Sequence, residues 1–152
     1  MKALLGAYCS LALVATPASS AEVKIVDVKA YLFLEHSGKF SDDIVDKGPL
    51  ENIAKGGAPG KESASAVLFD LTFSGDKNAS PKYATATVDI TQGSITGQPM
   101  VIHKAFGNFQ LGPDGLQHKA LLVENATCAS LSLDVFAGKT AKSVKLEFAC
   151  AR

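Results

Sequence analysis

The residues able to do chemistry are few, and one cluster stands out by position. Glu35-His36 and Asp42-Asp43 flank a short turn, Ser37-Gly38-Lys39-Phe40-Ser41, that could fold the four side chains together. A histidine with carboxylates suits Zn²⁺, and carboxylates with loop carbonyls suit Ca²⁺. The spacing matches neither a zinc motif nor an EF-hand, which needs acids at alternating loop positions and a terminal Glu. A solvated acidic loop accounts for the same residues. No stoichiometric metal and no cofactor are expected, with Glu35, His36, Asp42 and Asp43 as the weak metal candidates.

Other chemistries have less to work with. Gly93-Ser94-Ile95-Thr96-Gly97 has its serine one position early for a nucleophile elbow and reads as a turn. Gly-x-Gly-x-x-Gly, Walker and His-Glu-x-x-His motifs are missing from the sequence. His103, between Ile102 and Lys104, reads as a structural histidine in a strand, and His118 as a surface residue opening one. Copper would want Met, His and free Cys together, and only Met100 remains once Met1 is set aside. No catalytic residue is expected, and the chain reads as non-enzymatic. Asn78-Ala79-Ser80 and Asn125-Ala126-Thr127 match the glycosylation sequon and read as turns.

Residues 1–21 explain where any chemistry would take place. Lys2 is followed by an apolar run from Ala3 to Val14, then Pro17, then Ser19-Ser20-Ala21. Those three regions in that order make a secretory signal peptide, cleaved before Glu22. The expected location is the periplasm or the extracellular space. Cys9 leaves with the signal, so the mature chain keeps Cys128 and Cys150, which in an oxidising compartment are expected to pair as one disulfide.

The elements that position these residues read as strands. Ala66–Ser74 alternates strictly, with Val67, Phe69, Leu71 and Phe73 on one side and Asp70 and Thr72 on the other. Glu22–Glu35 places Val26, Val28, Ala30, Leu32 and Leu34 on one parity, and Tyr83–Thr91 places Ala84, Ala86, Val88 and Ile90. Leu131–Val135 and Val144–Phe148 alternate too, whereas Met100–Leu111 and His118–Asn125 are apolar with ambiguous parity. Tyr31 and Phe33 fall on the polar side of the first strand. A bulge that swaps faces or a covering layer is the ordinary reading, and an exposed aromatic patch is the third.

The spacing of about seven strands, cut by Gly and Pro, predicts an all-β antiparallel sandwich of immunoglobulin-like or related topology. Residues 22–152 then form a single domain, with a long loop at about 36–65 in which Pro49 could open a short helix through Ala54, stopped by Gly56. The last two strands read as a hairpin around Gly138-Lys139-Thr140. Pairing Leu133 with Leu146 sets Leu131 opposite Phe148 and Ala129 opposite Cys150. Strict alternation then puts Cys128 and Cys150 on opposite faces, so either the chain bends near Cys128 or the bond does not form; the bend is the favoured reading.

Within 152 residues, fifteen Lys+Arg balance fifteen Asp+Glu and 47% of positions are apolar. Balanced charge argues against nucleic acid as the partner, and no run of about eighteen apolar residues suggests a membrane span. The pattern Glu35-His36-Ser37-Gly38, Ala126-Thr127-Cys128 and Phe148-Ala149-Cys150 resembles small uncharacterised secreted proteins of proteobacteria over most of the mature chain. The resemblance carries no activity with it. The function expected is that of a binding or accessory module for another periplasmic or secreted protein. The alternative is a periplasmic divalent-metal-binding protein using the 35–43 segment.

Overall fold

The computed structural model describes residues 22–82, 84–93, 98–126 and 130–149. Eight strands follow in order: β1 (Lys24–Leu34), β2 (Lys39–Phe40), β3 (Ala64–Ser74), β4 (Ala86–Gln92), β5 (Met100–Phe106), β6 (Leu116–Glu124), β7 (Leu131–Ala137) and β8 (Thr140–Leu146). They form two antiparallel four-stranded sheets, ordered β2-β1-β3-β6 and β5-β4-β7-β8. Apart from the two-residue β2, this is the A-B-E and C′-C-F-G arrangement of an immunoglobulin-like sandwich. Among the described residues no helix is long and apolar enough to cross a membrane.

The core lies between the sheets and follows period-2 alternation. Val67, Phe69, Leu71 and Phe73 of β3 are all fully buried, facing Val88 and Ile90 of β4 and Leu131, Leu133 and Val135 of β7 from the opposite layer. Phe109, in the β5–β6 connection, closes one side by packing edge-on against Phe73 at 5.1 Å between ring centroids. Lys119 lies over the same ring at 5.3 Å, so its stem helps to cover this flank of β6.

Two expectations are corrected by local geometry. Val26 was expected inside and is 41% exposed. Ile25 pairs with Phe73 and Asp27 with Thr72, leaving Val26 as an extra, unpaired residue. That bulge flips the parity at the start of β1, so Ile25 and Val28 both point inward. It also brings β1 against the other sheet: Ile25 N donates to Thr140 Oγ1 at 2.9 Å, and Asp27 meets Lys142 at 3.5 Å.

The β7–β8 register also differs from expectation. Leu131 pairs with Leu146, Leu133 with Val144 and Ala137 with Thr140. The parity is as expected, but the partner strand is displaced by two residues. The turn therefore centres on Gly138-Lys139 and puts the positive backbone angle, φ 56°, on a glycine at its first central position. Phe148 falls beyond β8 and makes an isolated parallel bridge with Leu50 instead.

The 36–65 segment is a strap. After β2 it runs along the free edge of β1, where side chains replace a neighbouring strand. Ser41 Oγ accepts from Leu32 N at 3.0 Å and Asp43 Oδ1 from Ala30 N at 3.0 Å, while Ser41 N and Ile44 N donate to Leu32 O and Ala30 O. Ile44, Ile53 and Ala58 anchor it in the core. The expected short helix shrinks to a 3-10 turn at Ile53–Lys55, ended by Gly56 in the left-handed conformation. Leu50 then bonds to Glu147 O and Ala149 N, which fastens the strap to the end of the second sheet.

Candidate binding face

Because β1, β3 and β6 bury alternate residues, the intervening ones share the outer face of the first sheet. The register aligns them in rows. Phe40, Phe33, Ala66 and Glu124 form one row across all four strands, and Tyr31, Leu68 and Leu122 form the next. Phe33 is 37% exposed, Phe40 52% and Leu122 51%. The rings of Phe33 and Phe40 meet edge to face, 5.7 Å apart at 62°. Together with Ala66 and the carboxylates of Glu35 and Glu124 they line a shallow groove of about 620 Å³.

The exposed-patch reading therefore holds for Phe33, while Tyr31, in the next row, is half-buried and outside the groove. The second irregularity of the β1–β3 pair inserts Ser65 between Ala64 and Ala66 on β3, and leaves Phe33 facing outward while Leu32 and Leu34 stay buried. Ser65 Oγ donates to Glu35, which orients that carboxylate at the end of the groove. The sheet surface turns polar away from this end. His118 Nδ1 lies 2.8 Å from Asp70 Oδ1 and 3.3 Å from Thr72 Oγ1.

The outer face of the second sheet is built differently. One row reads His103, Asp89, Asp134, Ser143 across β5, β4, β7 and β8. His103 Nδ1 lies 2.6 Å from Asp89 Oδ1, and Ser143 Oγ donates to Asp134. The residue types of a catalytic triad are thus present in the wrong order. The two aspartates are central, and the serine and histidine stand three strand spacings apart, about 14 Å, too far for a base to take the hydroxyl proton. His103 is an exposed residue held by its neighbour rather than a core histidine. Both histidines lie in strands.

The metal candidates are occupied separately. Asp43 accepts from Ala30 N and Val45 N, Asp42 meets Lys47 at 3.7 Å, Glu35 holds Ser65, and His36 sits exposed in the turn before β2. Among the described residues no three His, Cys, Asp or Glu side chains are grouped as a ligand set. Cys128, Cys150, the signal segment 1–21 and Ser94 lie outside the described residues. Asn78 occupies a turn and Asn125 follows β6, both at positive φ, 57° and 55°.

Phe40, Leu122 and Glu124 were not singled out from sequence. Leu121-Leu122-Val123 did carry a signal, since three consecutive apolar residues in a strand must turn one outward. Phe40 carried none, because it sits within a stretch that reads as a polar turn. Compared with known proteins, the chain matches no family model and no curated sequence.

Proposed function

We propose that this protein is a secreted or periplasmic, non-enzymatic module that binds another protein through the outer face of its β2-β1-β3-β6 sheet. The observation that carries this is the contiguous apolar end of that face, where Phe33, Phe40 and Leu122 are all exposed within one groove. Single exposed apolar residues are ordinary, whereas an aromatic cluster rimmed by polar groups marks a contact surface. The separated serine and histidine of the second sheet support a non-enzymatic reading. The signal-like 1–21 segment supports export.

The test is site-specific photo-crosslinking in the cells that make the protein, with the photoreactive residue at position 40 or, on the other sheet, at position 136. The expected result is a discrete adduct with one exported protein from position 40 only, lost on Leu122→Ser. The same adducts from both positions would overturn the binding face.

The Cys128–Cys150 disulfide belongs to the same proposal. It would close a loop of about twenty residues, contribute about 3 kcal/mol through loop entropy and hold the C-terminal residues. Thiol titration of the unfolded, unreduced protein should find no free thiol in the mature chain. Two thiols per chain would remove both the bridge and the argument for an oxidising compartment.

A further inference from the structure

We infer that the groove selects an extended segment of the partner carrying an arginine or lysine side chain next to an apolar one. This deepens the proposed function and rests on it. The groove has two kinds of wall. Phe33 and Phe40 present aromatic surface, and Ala66 and Leu122 present aliphatic surface. Glu35 and Glu124 supply two carboxylates, and no lysine or arginine lines it. Among the described residues neither carboxylate meets a cation of this chain. Glu124, on β6, lies at one end of the row and Phe40, on β2, at the other.

This combination is complementary to a cationic side chain. Its methylene stem lies along the aliphatic floor, and its head reaches an aromatic face and a carboxylate together. An arginine gains most, because its planar guanidinium can stack on a ring while donating to a carboxylate. A row across four strands spans three spacings, about 14 Å, which matches about four residues of extended peptide at 3.3 Å each. An acidic segment would meet like charge at both carboxylates, so the site also rejects.

The experiment pans a displayed library of random seven-residue peptides on the purified protein, with counter-selection on the Leu122→Ser variant. Enriched peptides should carry Arg or Lys beside an aliphatic or aromatic residue, and their binding should weaken about threefold on Glu124→Gln, the effect of one exposed ion pair. Replacing the basic residue by Glu in an enriched peptide should abolish binding. Peptides enriched on the native protein and lost on Leu122→Ser, but without basic residues, would overturn this inference and leave the binding face standing. No enrichment that depends on Leu122 would overturn both. Circular dichroism showing an unchanged fold in each variant keeps the comparison valid.

Discussion

The two sheets bury the same kind of residue and present opposite kinds. On the β5-β4-β7-β8 sheet the outward positions are largely polar, and they satisfy one another: His103 with Asp89, Ser143 with Asp134. Phe136 stands exposed there on β7, and Met100 and Val101 at the start of β5. On the β2-β1-β3-β6 sheet the outward positions at one end are Phe40, Phe33 and Leu122, together with two carboxylates that meet no cation among the described residues. The second sheet's polar row closes its own interactions, and one end of the first sheet leaves apolar surface and Glu124 open. Folding alone needs no such asymmetry, because a solvated antiparallel sheet is stable with a polar outer face. The difference locates where a partner would add something.

The edges sharpen this contrast. An uncovered edge strand is the usual hazard of a sandwich. The strap covers β1, and Lys119 and the 107–111 segment cover part of β6 through contacts with Gly107 O and Gln117. On β5, Lys104 pairs with the buried Val88 and shares the core-facing parity of Ile102 and Phe106. An inward charge on an edge strand discourages another strand from pairing. Edge addition is thus opposed along β1, β5 and part of β6, while the described residues leave the groove on the sheet face uncovered.

Substitutions can break the comparison in order of size. Phe69→Ala removes the centre of the core, where the ring is fully buried. It should cost about 3–5 kcal/mol in urea unfolding, and a cost under about 1 kcal/mol would mean that the sheets do not pack as described. Asp43→Ala is the next largest. It strands Ala30 N and Val45 N, both partly buried, and should cost about 1–3 kcal/mol. It should also raise amide exchange at Ala30, whereas Asp42→Ala should leave that amide protected. Equal exchange in the two variants would show that Asp43 does not hold the strap.

The smallest effect concerns Glu147. Lys145 donates to its carboxylate at 2.6 Å, and this hydrogen bond and charge hold Glu147 below its ordinary pKa. A group depressed on folding favours the folded state above its unfolded pKa. That contribution is lost as pH falls through the folded value, below the usual Glu range. The pair is exposed and therefore salt-screened, so Glu147→Gln should slightly flatten the acid limb of the stability profile at low ionic strength. An unchanged limb would remove the pair from the account.

The layers were legible in the residues because alternation is a local property. Val67, Phe69, Leu71 and Phe73 could be assigned inward from β3 alone, and all are buried. Val26 was not assignable in this way, because a bulge is a property of a strand pair. The β7–β8 register depended on which residue takes positive φ, and Gly138 decides it. The strap looked like a loop because half of its hydrogen bonds to β1 come from the Ser41 and Asp43 side chains, beside the backbone Ser41 N and Ile44 N. The same Asp43 looked like a metal ligand, since a carboxylate that caps a strand edge and one that awaits a cation are alike in sequence. The groove was hidden for a further reason. Its walls come from four strands, and no spacing along the chain encodes which of them become neighbours.

Adjacent leucines on β6 test the central claim most directly. Leu121 is 5% exposed in the core and Leu122 51% exposed on the groove. The measurement is a paired one on Leu121→Ala and Leu122→Ala: urea unfolding, and binding of an Arg-containing peptide enriched on the native protein. Leu121→Ala should lose about 2–5 kcal/mol of stability and still bind wherever it remains folded. Leu122→Ala should stay within about 1 kcal/mol of the native protein and lose binding. Equal stability losses in the two variants, or full binding by Leu122→Ala, would contradict the account.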